Sequence, residues 1–194
     1  MKIRGVLFDL DGTVVEAPYD WAWIKADLGV GNATILSHLG GLEEPERSRQ
    51  WAVLAKYEAE ATRRATLKRG MRSFFGLLAG RNIKTALVTN NSRANTEMML
   101  RRFRLSFGLV LTRDSGLWKP SGAPLVAAMK SLILESSECC AVGDSPLDVR
   151  AAEEAGISRI YILSREPQKF APFPSVEVFP GVAGLRRKIL PLLC

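Results

Sequence analysis

Residues 3–13 read IRGVLFDLDGT, and this stretch decides how the rest of the chain is interpreted. Three apolar residues at 6–8 follow one another, which is typical of a strand buried on both faces, as in a parallel sheet. We expect the strand to end at Asp9, and Gly12 allows the chain to turn sharply behind it. The sequence therefore places two carboxylates, those of Asp9 and Asp11, at the end of a buried strand.

The chain beyond residue 70 alternates short apolar runs with segments of helical periodicity. This alternation is typical of an α/β fold, here a doubly wound, mostly parallel, Rossmann-like sheet with helices on both faces. The predicted strands are 3–8, 84–88, 109–111, 139–142, 160–163 and 176–179. The predicted helices cover 74–78, 92–103, 124–134, 147–155 and 182–192.

Residues 17–68 interrupt this alternation directly after the first strand. Their pattern is helical with glycine breaks, and the acidic residues and proline at 43–45 suit the first turn of a long helix. We therefore expect residues 1–16 and 69–194 to form the α/β core. Residues 17–68 would form a small all-helical cap, placed to cover the edge of the sheet where ligands bind.

Several side chains of this helical segment are candidates for contacting a substrate. The candidates are Trp21, Trp23, Lys25, His38 and Arg47. The alternative is that Trp21 packs against the core, because it has helical spacing with Ile24 and Leu28, and that the charged residues face solvent. We favour this alternative on the sequence alone.

Three of the predicted strands end at polar residues, namely Asp9, Thr89 and Asp144. Because ligands bind outside the carboxyl ends of the strands in a doubly wound sheet, we expect these residues to share one site. Each residue also has a local explanation: a solvated turn for Asp9, a helix cap for Thr89, and a helix-dipole charge for Asp144. A shared site is favoured because all three residues occur at the carboxyl ends of predicted strands.

The residue types at these strand ends suit phosphoryl transfer. Of two close carboxylates, one can attack phosphorus while the other moves a proton, which fits Asp9 and Asp11. The Thr89 hydroxyl and the backbone N–H groups at Asn90 can hold a phosphate oxygen.

Three further charged residues fit the same chemistry. Lys119 precedes Pro120 in a loop, where its ammonium could neutralise charge on a nucleophile, although a surface loop is the ordinary alternative. Asp144 adds a third carboxylate, as a hard cation with oxygen ligands requires. Asp148, one helical turn later, could orient waters or Lys119.

Together these segments resemble the four motifs of the haloacid dehalogenase superfamily. DLDGT at 9–13 matches the first motif, Thr89 the second, Lys119 the third, and GDSPLD at 143–148 the fourth. The VTNNS, KPSGAPL and DVRAAEEAG segments and the position of the cap are similar to the phosphoglycolate-phosphatase-like branch. The resemblance implies a hydrolase, a phosphatase that acts on small-molecule phosphomonoesters.

The resemblance also implies a role for each residue. Asp9 would attack phosphorus to form an aspartyl-phosphate, and Asp11 would protonate the leaving group and then activate water. Mg²⁺ would be held by Asp9, the backbone carbonyl of Asp11, and Asp144. Lys119 and the metal would together offset the negative charge of Asp9, so that it can approach an anionic phosphate.

Two other functions stay open at this stage. A phosphomutase of the same fold, similar to β-phosphoglucomutase, would return the phosphoryl group to a second substrate hydroxyl. A catalytically inactive domain would bind an acidic partner, although the retention of Asp9, Asp11, Lys119 and Asp144 disfavours it. The short cap and the VVEAPYDW continuation at 14–21 depart from the usual family pattern, so no particular substrate is predicted.

The composition of the 194 residues, with 47% hydrophobic and 24% charged, is that of a globular protein. No apolar run approaches the roughly 20 residues that cross a bilayer, and the N-terminal apolar stretch is too short for a signal peptide. We therefore expect a cytoplasmic protein, a monomer or homodimer, that does not bind membranes. The net charge of +7 is scattered, so no nucleic acid is expected, but a basic surface would attract anionic substrates.

Overall fold

The structure is a computed structural model that describes residues 2–194. Its strands are β1 (Gly5–Phe8), β2 (Val15–Glu16), β3 (Thr66–Leu67), β4 (Lys84–Val88), β5 (Leu109–Leu111), β6 (Cys139–Gly143), β7 (Ile160–Leu163) and β8 (Val176–Phe179). Its α-helices are α1 (Trp21–Asp27), α2 (Ile35–Gly40), α3 (Glu46–Arg64), α4 (Met71–Gly80), α5 (Arg93–Phe103), α6 (Ala123–Leu132), α7 (Pro146–Glu154) and α8 (Val182–Ile189). No helix within the described range is both long and apolar enough to span a membrane.

Six of the described strands form one sheet in the order β5–β4–β1–β6–β7–β8. Every neighbouring pair in this sheet is parallel, which confirms the predicted α/β fold. The chain order runs outward from β1 through β4 to β5, and then from β6 to β8 on the other side. The carboxyl ends of β1, β4 and β6 therefore meet at the switch point where such sheets bind ligands.

Both faces of β1 are covered, which explains the unbroken apolar run at 6–8. Leu7 belongs to a core cluster with Ala128 of α6 and Ala152 of α7. Phe8, whose side chain points to the opposite face, meets the ring of Phe74 of α4 edge-on, with the ring centroids 5.9 Å apart. A polar residue on either face of β1 would thus be buried in an apolar layer.

The chain divides into two compact units, Met1–Glu16 with Thr66–Cys194, and Ala17–Ala65. β2 and β3 pair antiparallel, with Val15 opposite Leu67. The chain thus leaves the α/β unit after β2, forms the helical unit, and re-enters the α/β unit at β3. Its last residue, Ala65, comes before the predicted limit at residue 68, because the two residues of β3 are already part of this pair.

The helical unit Ala17–Ala65 has a small apolar core of its own. That core consists of Ile24, Leu28, Val30, Leu36, Leu39 and Leu54. Asp20 caps α1 by accepting a hydrogen bond from the backbone N–H of Trp23 at 2.9 Å. Trp21 is 45% exposed and stacks on Tyr19 with the ring centroids 4.3 Å apart. The expectation that Trp21 packs in the core is therefore wrong.

Candidate active site

Asp9 lies directly after β1, and its backbone N–H donates to the carbonyl of Val142 on β6 at 2.9 Å. This bond continues the β1–β6 ladder by one residue, so the backbone of Asp9 is held as firmly as that of the strand. The carboxylate Oδ1 of Asp9 accepts a hydrogen bond from Nζ of Lys119 at 2.5 Å. Asp9 is thus fixed at both its backbone and its side chain.

Lys119 links two carboxylates that come from different parts of the chain. Its Nζ donates to Oδ1 of Asp9 and to Oδ1 of Asp148, at 2.5 Å in each case. Only 5% of the Lys119 side chain is exposed, so the ammonium has left bulk water and depends on these two partners. Lys119 is therefore buried beside Asp9, and the alternative that it lies in an ordinary surface loop is wrong.

Asn90 holds the backbone of Lys119 in place. Its side-chain Nδ2 donates to the carbonyl of Lys119, and the backbone N–H of Lys119 donates to Oδ1 of Asn90, both at 2.8 Å. These two bonds join the loop after β4 to the loop that follows β5. The Asn90 side chain therefore fixes the Lys119 backbone, and the backbone N–H of Asn90 is a second group that could meet a phosphate.

Asp148 is locked by the start of α7. Its Oδ2 accepts from the backbone N–H groups of Asp144 and Ser145, at 3.2 and 3.0 Å, and from the Ser145 hydroxyl at 2.7 Å. Its Cβ lies so close to Gly143 that a Cβ added there would be only 2.4 Å away. Both oxygens of Asp148 are therefore engaged, one with the ammonium and one with the helix start.

Asp144 packs against the turn that follows β1. Gly12 has a φ of +80°, and a Cβ built on it would lie 2.0 Å from Oδ2 of Asp144. Only glycine fits both the backbone conformation and the space at this position. The DxDG turn therefore leaves room for the carboxylate from β6, which explains the glycine in the motif.

Asp11 is bonded to Asn91, a residue whose partner the sequence pattern does not indicate. Nδ2 of Asn91 donates to Oδ2 of Asp11 at 2.8 Å, and Asn91 is 4% exposed. The available signal was the second asparagine of VTNNS, but the local sequence does not indicate which side chain it faces. Asn91 thus joins the first and second motifs.

Thr89, which follows β4, is also buried in this region. Its Oγ1 accepts a hydrogen bond from the backbone N–H of Asn91 at 3.1 Å. A hydroxyl that accepts one bond can still donate its own proton, so Thr89 can present a donor to a phosphate oxygen. Its backbone N–H donates to the carbonyl of Leu111 on β5 at 2.9 Å, which continues the pairing of β4 with β5.

Burial and neighbouring carboxylates raise the pKa values of Asp9 and Asp144. Burial raises the pKa of Asp9 well above its ordinary value; the Lys119 ammonium opposes this shift, whereas the neighbouring carboxylates add to it. Burial, aided by the charge of Asp148, raises the pKa of Asp144 to about 7. The site therefore holds more carboxyl groups than its own ammonium can keep ionised.

Lys119 and Asp148 form the part of the site that stays ionised. Burial opposes the charge on Lys119, but the carboxylates of Asp148 and Asp9 outweigh it and raise the Lys119 pKa. Burial likewise opposes the charge on Asp148, but Lys119 and the donors of Ser145 hold the Asp148 pKa below its usual value. This ion pair is thus a permanent feature of the site at neutral pH.

The acidic groups fit a divalent cation. Asp9, Asp144 and Asp148 each offer a carboxylate oxygen within 4.8 Å of the others, and oxygen ligands suit a hard cation. Because Asp148 uses both of its oxygens elsewhere, Asp9 and Asp144 are the carboxylates left for a metal. A second positive charge would oppose the burial and the repulsion that raise the pKa values of Asp9 and Asp144.

The predicted substrate residues lie in the helical unit, and each has a local partner there. Nζ of Lys25 donates to the carbonyl of Ala33 at 3.2 Å. A ring nitrogen of His38 lies 3.2 Å from Oε1 of Gln50. Arg47 pairs with Glu44 through its Nε at 3.0 Å, whereas Trp21 and Trp23 are both exposed. Their contact with a substrate stays a prediction.

The chain belongs to the haloacid dehalogenase-like hydrolase family, which matches residues 18–162. It is a hydrolase, and its resemblance to the phosphoglycolate-phosphatase-like branch is confirmed by the relatives below. The first motif, at residues 9–13, lies before the matched range. The assignment of Asp9 and Asp11 therefore depends on the geometry described above.

Two curated relatives and one solved structure are similar over most of the chain. The phosphoglycolate phosphatase of Rhodospirillum rubrum is 29% identical, with 94% of this chain and 89% of the relative covered. That of Nitrosospira multiformis is 30% identical, with 80% and 81% covered. A haloacid dehalogenase superfamily hydrolase from Ehrlichia chaffeensis has the same fold, with a TM-score of 0.67, 22% identity and 98% of each chain covered.

Proposed function

We propose that this hydrolase is a Mg²⁺-dependent phosphatase that cleaves small-molecule phosphomonoesters through an aspartyl-phosphate on Asp9. The observation that carries the proposal is the pairing of Lys119 with Asp9, at 2.5 Å, in a buried cluster of carboxylates. A nucleophilic carboxylate must approach an anionic phosphate, so it needs positive charge beside it. A carboxylate that served only as a structural anchor would not need two further acidic groups beside it.

In the first step, an oxygen of Asp9 attacks phosphorus as the bond from phosphorus to the ester oxygen breaks. Asp11 donates its proton to the departing oxygen, so the product leaves as a neutral alcohol. Lys119 keeps Asp9 in position and offsets charge on the phosphoryl group. Thr89, through its hydroxyl, and Asn90, through its backbone N–H, are proposed to hold phosphate oxygens.

In the second step, Asp11 acts as a base. Its carboxylate takes a proton from a water molecule as that water attacks the phosphorus of the aspartyl-phosphate. The bond between phosphorus and the Asp9 oxygen breaks, which releases inorganic phosphate and restores the carboxylate of Asp9. Asp11 is then protonated again and ready for the next substrate.

Mg²⁺ would be held by Asp9, Asp144 and the backbone carbonyl of Asp11. When bound, it would supply positive charge that polarises the phosphoryl group and keeps the two carboxylates ionised. The raised pKa values of Asp9 and Asp144 support the need for such a charge. Asp148 is proposed to act indirectly, by orienting Lys119.

The proposed substrate is a small phosphorylated metabolite. Relatives named phosphoglycolate phosphatase make phosphoglycolate the first ester to test. We propose that residues 17–68 form the cap that selects the substrate, with Trp21, Lys25, His38 and Arg47 as the residues to vary. The short length of this segment is the reason to test a broad range of leaving groups.

The experiment is phosphate release from a panel of phosphomonoesters by the purified protein. We expect turnover with Mg²⁺, loss of turnover with EDTA and recovery when Mg²⁺ is added back. Asp9→Asn should abolish it, whereas Glu177→Gln, which removes an exposed carboxylate on β8, should not. Absence of turnover on every ester would contradict the proposal, and transfer of phosphate to a sugar phosphate instead of water would identify a phosphomutase.

A further inference from the structure

The position of Asn91 carries an inference that rests on the proposed function of Asp11. Asn91 is buried, and it bonds the carboxylate proposed as the acid and base across 80 positions of sequence. Three hydrogen bonds of its side chain bear on Asp11: the bond to Asp11 itself, and two that fix the Asn91 amide in its own loop and helix.

The orientation of the Asn91 amide follows from its partners. Oδ1 of Asn91 accepts from the backbone N–H of Ser92 at 2.8 Å and from Nδ2 of Asn95 at 3.3 Å. A backbone N–H can only donate, so the Asn91 atom that faces Ser92 must be the oxygen. The atom that faces Oδ2 of Asp11 at 2.8 Å is therefore the nitrogen, which can only donate.

A donor fixed on Oδ2 restricts the orientation of the Asp11 carboxyl group. The bond from Asn91 opposes rotation about the Cβ–Cγ bond, so the plane of the carboxyl group is held. Proton transfer depends on that orientation, because an acid must lie within hydrogen-bond reach of the atom that it protonates.

We propose that Asn91 is the positioning residue of the general acid and base: its amide holds Oδ2 of Asp11 and so keeps the carboxyl group in the orientation from which it gives and takes the proton. In this role Asn91 acts through the side chain of Asp11. Its support from Ser92 and Asn95 explains why the asparagine follows β4 at the start of α5. A helix cap alone would not require a bond to Asp11.

Leaving-group dependence distinguishes positioning from a structural role. A dinitrophenolate leaves without a proton, whereas an alkoxide needs one from Asp11. Loss of correct positioning should therefore slow the cleavage of an alkyl phosphate much more than that of 2,4-dinitrophenyl phosphate. A general loss of structure would slow both substrates equally.

The experiment measures single-turnover release of the leaving group from 2,4-dinitrophenyl phosphate and from phosphoglycolate or the alkyl phosphate cleaved fastest. Asn91→Asp keeps the acceptor for Ser92 and the side-chain volume, and Asn91→Ala removes both. We expect each variant to slow the alkyl phosphate by about 10- to 100-fold and the aryl phosphate by less than about threefold. Asp11→Asn removes the acid and base itself, so it should show the largest loss of rate on the alkyl phosphate relative to the aryl phosphate.

Ser92→Ala is the matched control, because it removes the cap bond to the backbone N–H of Asn95 but keeps the N–H that supports Asn91. It should lower the melting temperature without a change in leaving-group selectivity. Equal losses on both substrates, or no loss, in the Asn91 variants would overturn the inference. If Asp11→Asn showed no selectivity, or the wild type cleaved no ester, the proposed function would fail as well.

Discussion

The two compact units differ in how their predicted functional side chains are bonded. In the α/β unit, Lys119 and Asp9 meet across 110 positions of sequence, and they are almost completely buried. In the helical unit, Arg47 meets Glu44 three positions away, and both side chains are about half exposed. Buried long-range bonds form only when the fold is complete, whereas exposed local bonds break and re-form at little cost. Under the proposed function, the chemistry would depend on buried, long-range bonds at the sheet edge, whereas substrate choice would depend on exposed side chains with local bonds.

The largest effect should come from Asp9→Asn. This change keeps the shape of the side chain but removes the attacking carboxylate, so kcat should fall by about 10⁴-fold or more. Steady-state phosphate release, with burst analysis of the leaving group, measures the effect. A variant with a tenth of wild-type activity would show that the nucleophile lies elsewhere.

Lys119→Met should destabilise the α/β unit as well as inactivate it. The change leaves Asp9 and Asp148 buried without their cation, and breaking a buried pair costs about 3–5 kcal/mol. Denaturant unfolding without metal measures this loss. Lys188→Met is the matched control, since Lys188 pairs with Glu177 on the surface at 2.8 Å and its loss should cost less than about 1 kcal/mol. If the two variants lost equal free energy of unfolding, the buried ion pairs of Lys119 would be no more stabilising than the surface pair of Lys188.

Metal-free stability and metal binding should both depend on pH through Asp144. Because the folded protein raises the pKa of Asp144 to about 7, it binds the proton more tightly than the unfolded chain does. This contribution to metal-free stability therefore falls as the pH rises from about 4 to 7. Mg²⁺ competes with that proton, so the rise in melting temperature on adding Mg²⁺ should be larger at pH 8 than at pH 6.

Asp144→Asn is the variant that tests this coupling. An amide does not titrate in this range, so the variant should show a smaller Mg²⁺ shift with less difference between the two pH values. Thermal scans at fixed Mg²⁺ concentration give the comparison directly. A shift that stayed the same at pH 6 and pH 8 in the wild type would argue against Asp144 as a ligand.

The smallest effects on stability should come from the helical unit. His38→Ala and Arg47→Ala remove exposed or partly exposed local bonds, so each should change the free energy of unfolding by less than about 1 kcal/mol. If these residues contact the substrate, each variant should change the ranking of esters by kcat/KM but not the rate of 2,4-dinitrophenyl phosphate cleavage. An unchanged ranking would remove them from the list of substrate contacts.

Strand ends explain why the sequence predicted so much of the α/β unit. The strand over Lys84–Val88 and the cap at Ser92 are found where the sequence placed them. A buried parallel strand needs a continuous apolar run, and this run marks both its position and the residue after it. Thr89 and Asp144 could therefore be assigned to the same sheet edge from the sequence alone.

Interactions that depend on three-dimensional proximity were not predictable in this way. β2 and β3 have two residues each, which is too short for any alternation of polar and apolar residues. Asn90 and Asn91 look alike in VTNNS, yet one clamps Lys119 and the other bonds Asp11. Trp21 had the spacing of a core residue but stacks on Tyr19 near the surface, since the small core of its unit is filled by aliphatic side chains.

The most direct test of the central claim is chemical trapping of the phosphorylated residue. The protein is mixed with Mg²⁺ and a cleaved ester, quenched during turnover, and treated with borohydride, which reduces an aspartyl-phosphate to homoserine. Peptide mass spectrometry should then find homoserine at position 9, and Asp9→Asn should show none. Turnover without modification at position 9, or with homoserine at another aspartate, would contradict the assignment of Asp9 as the nucleophile.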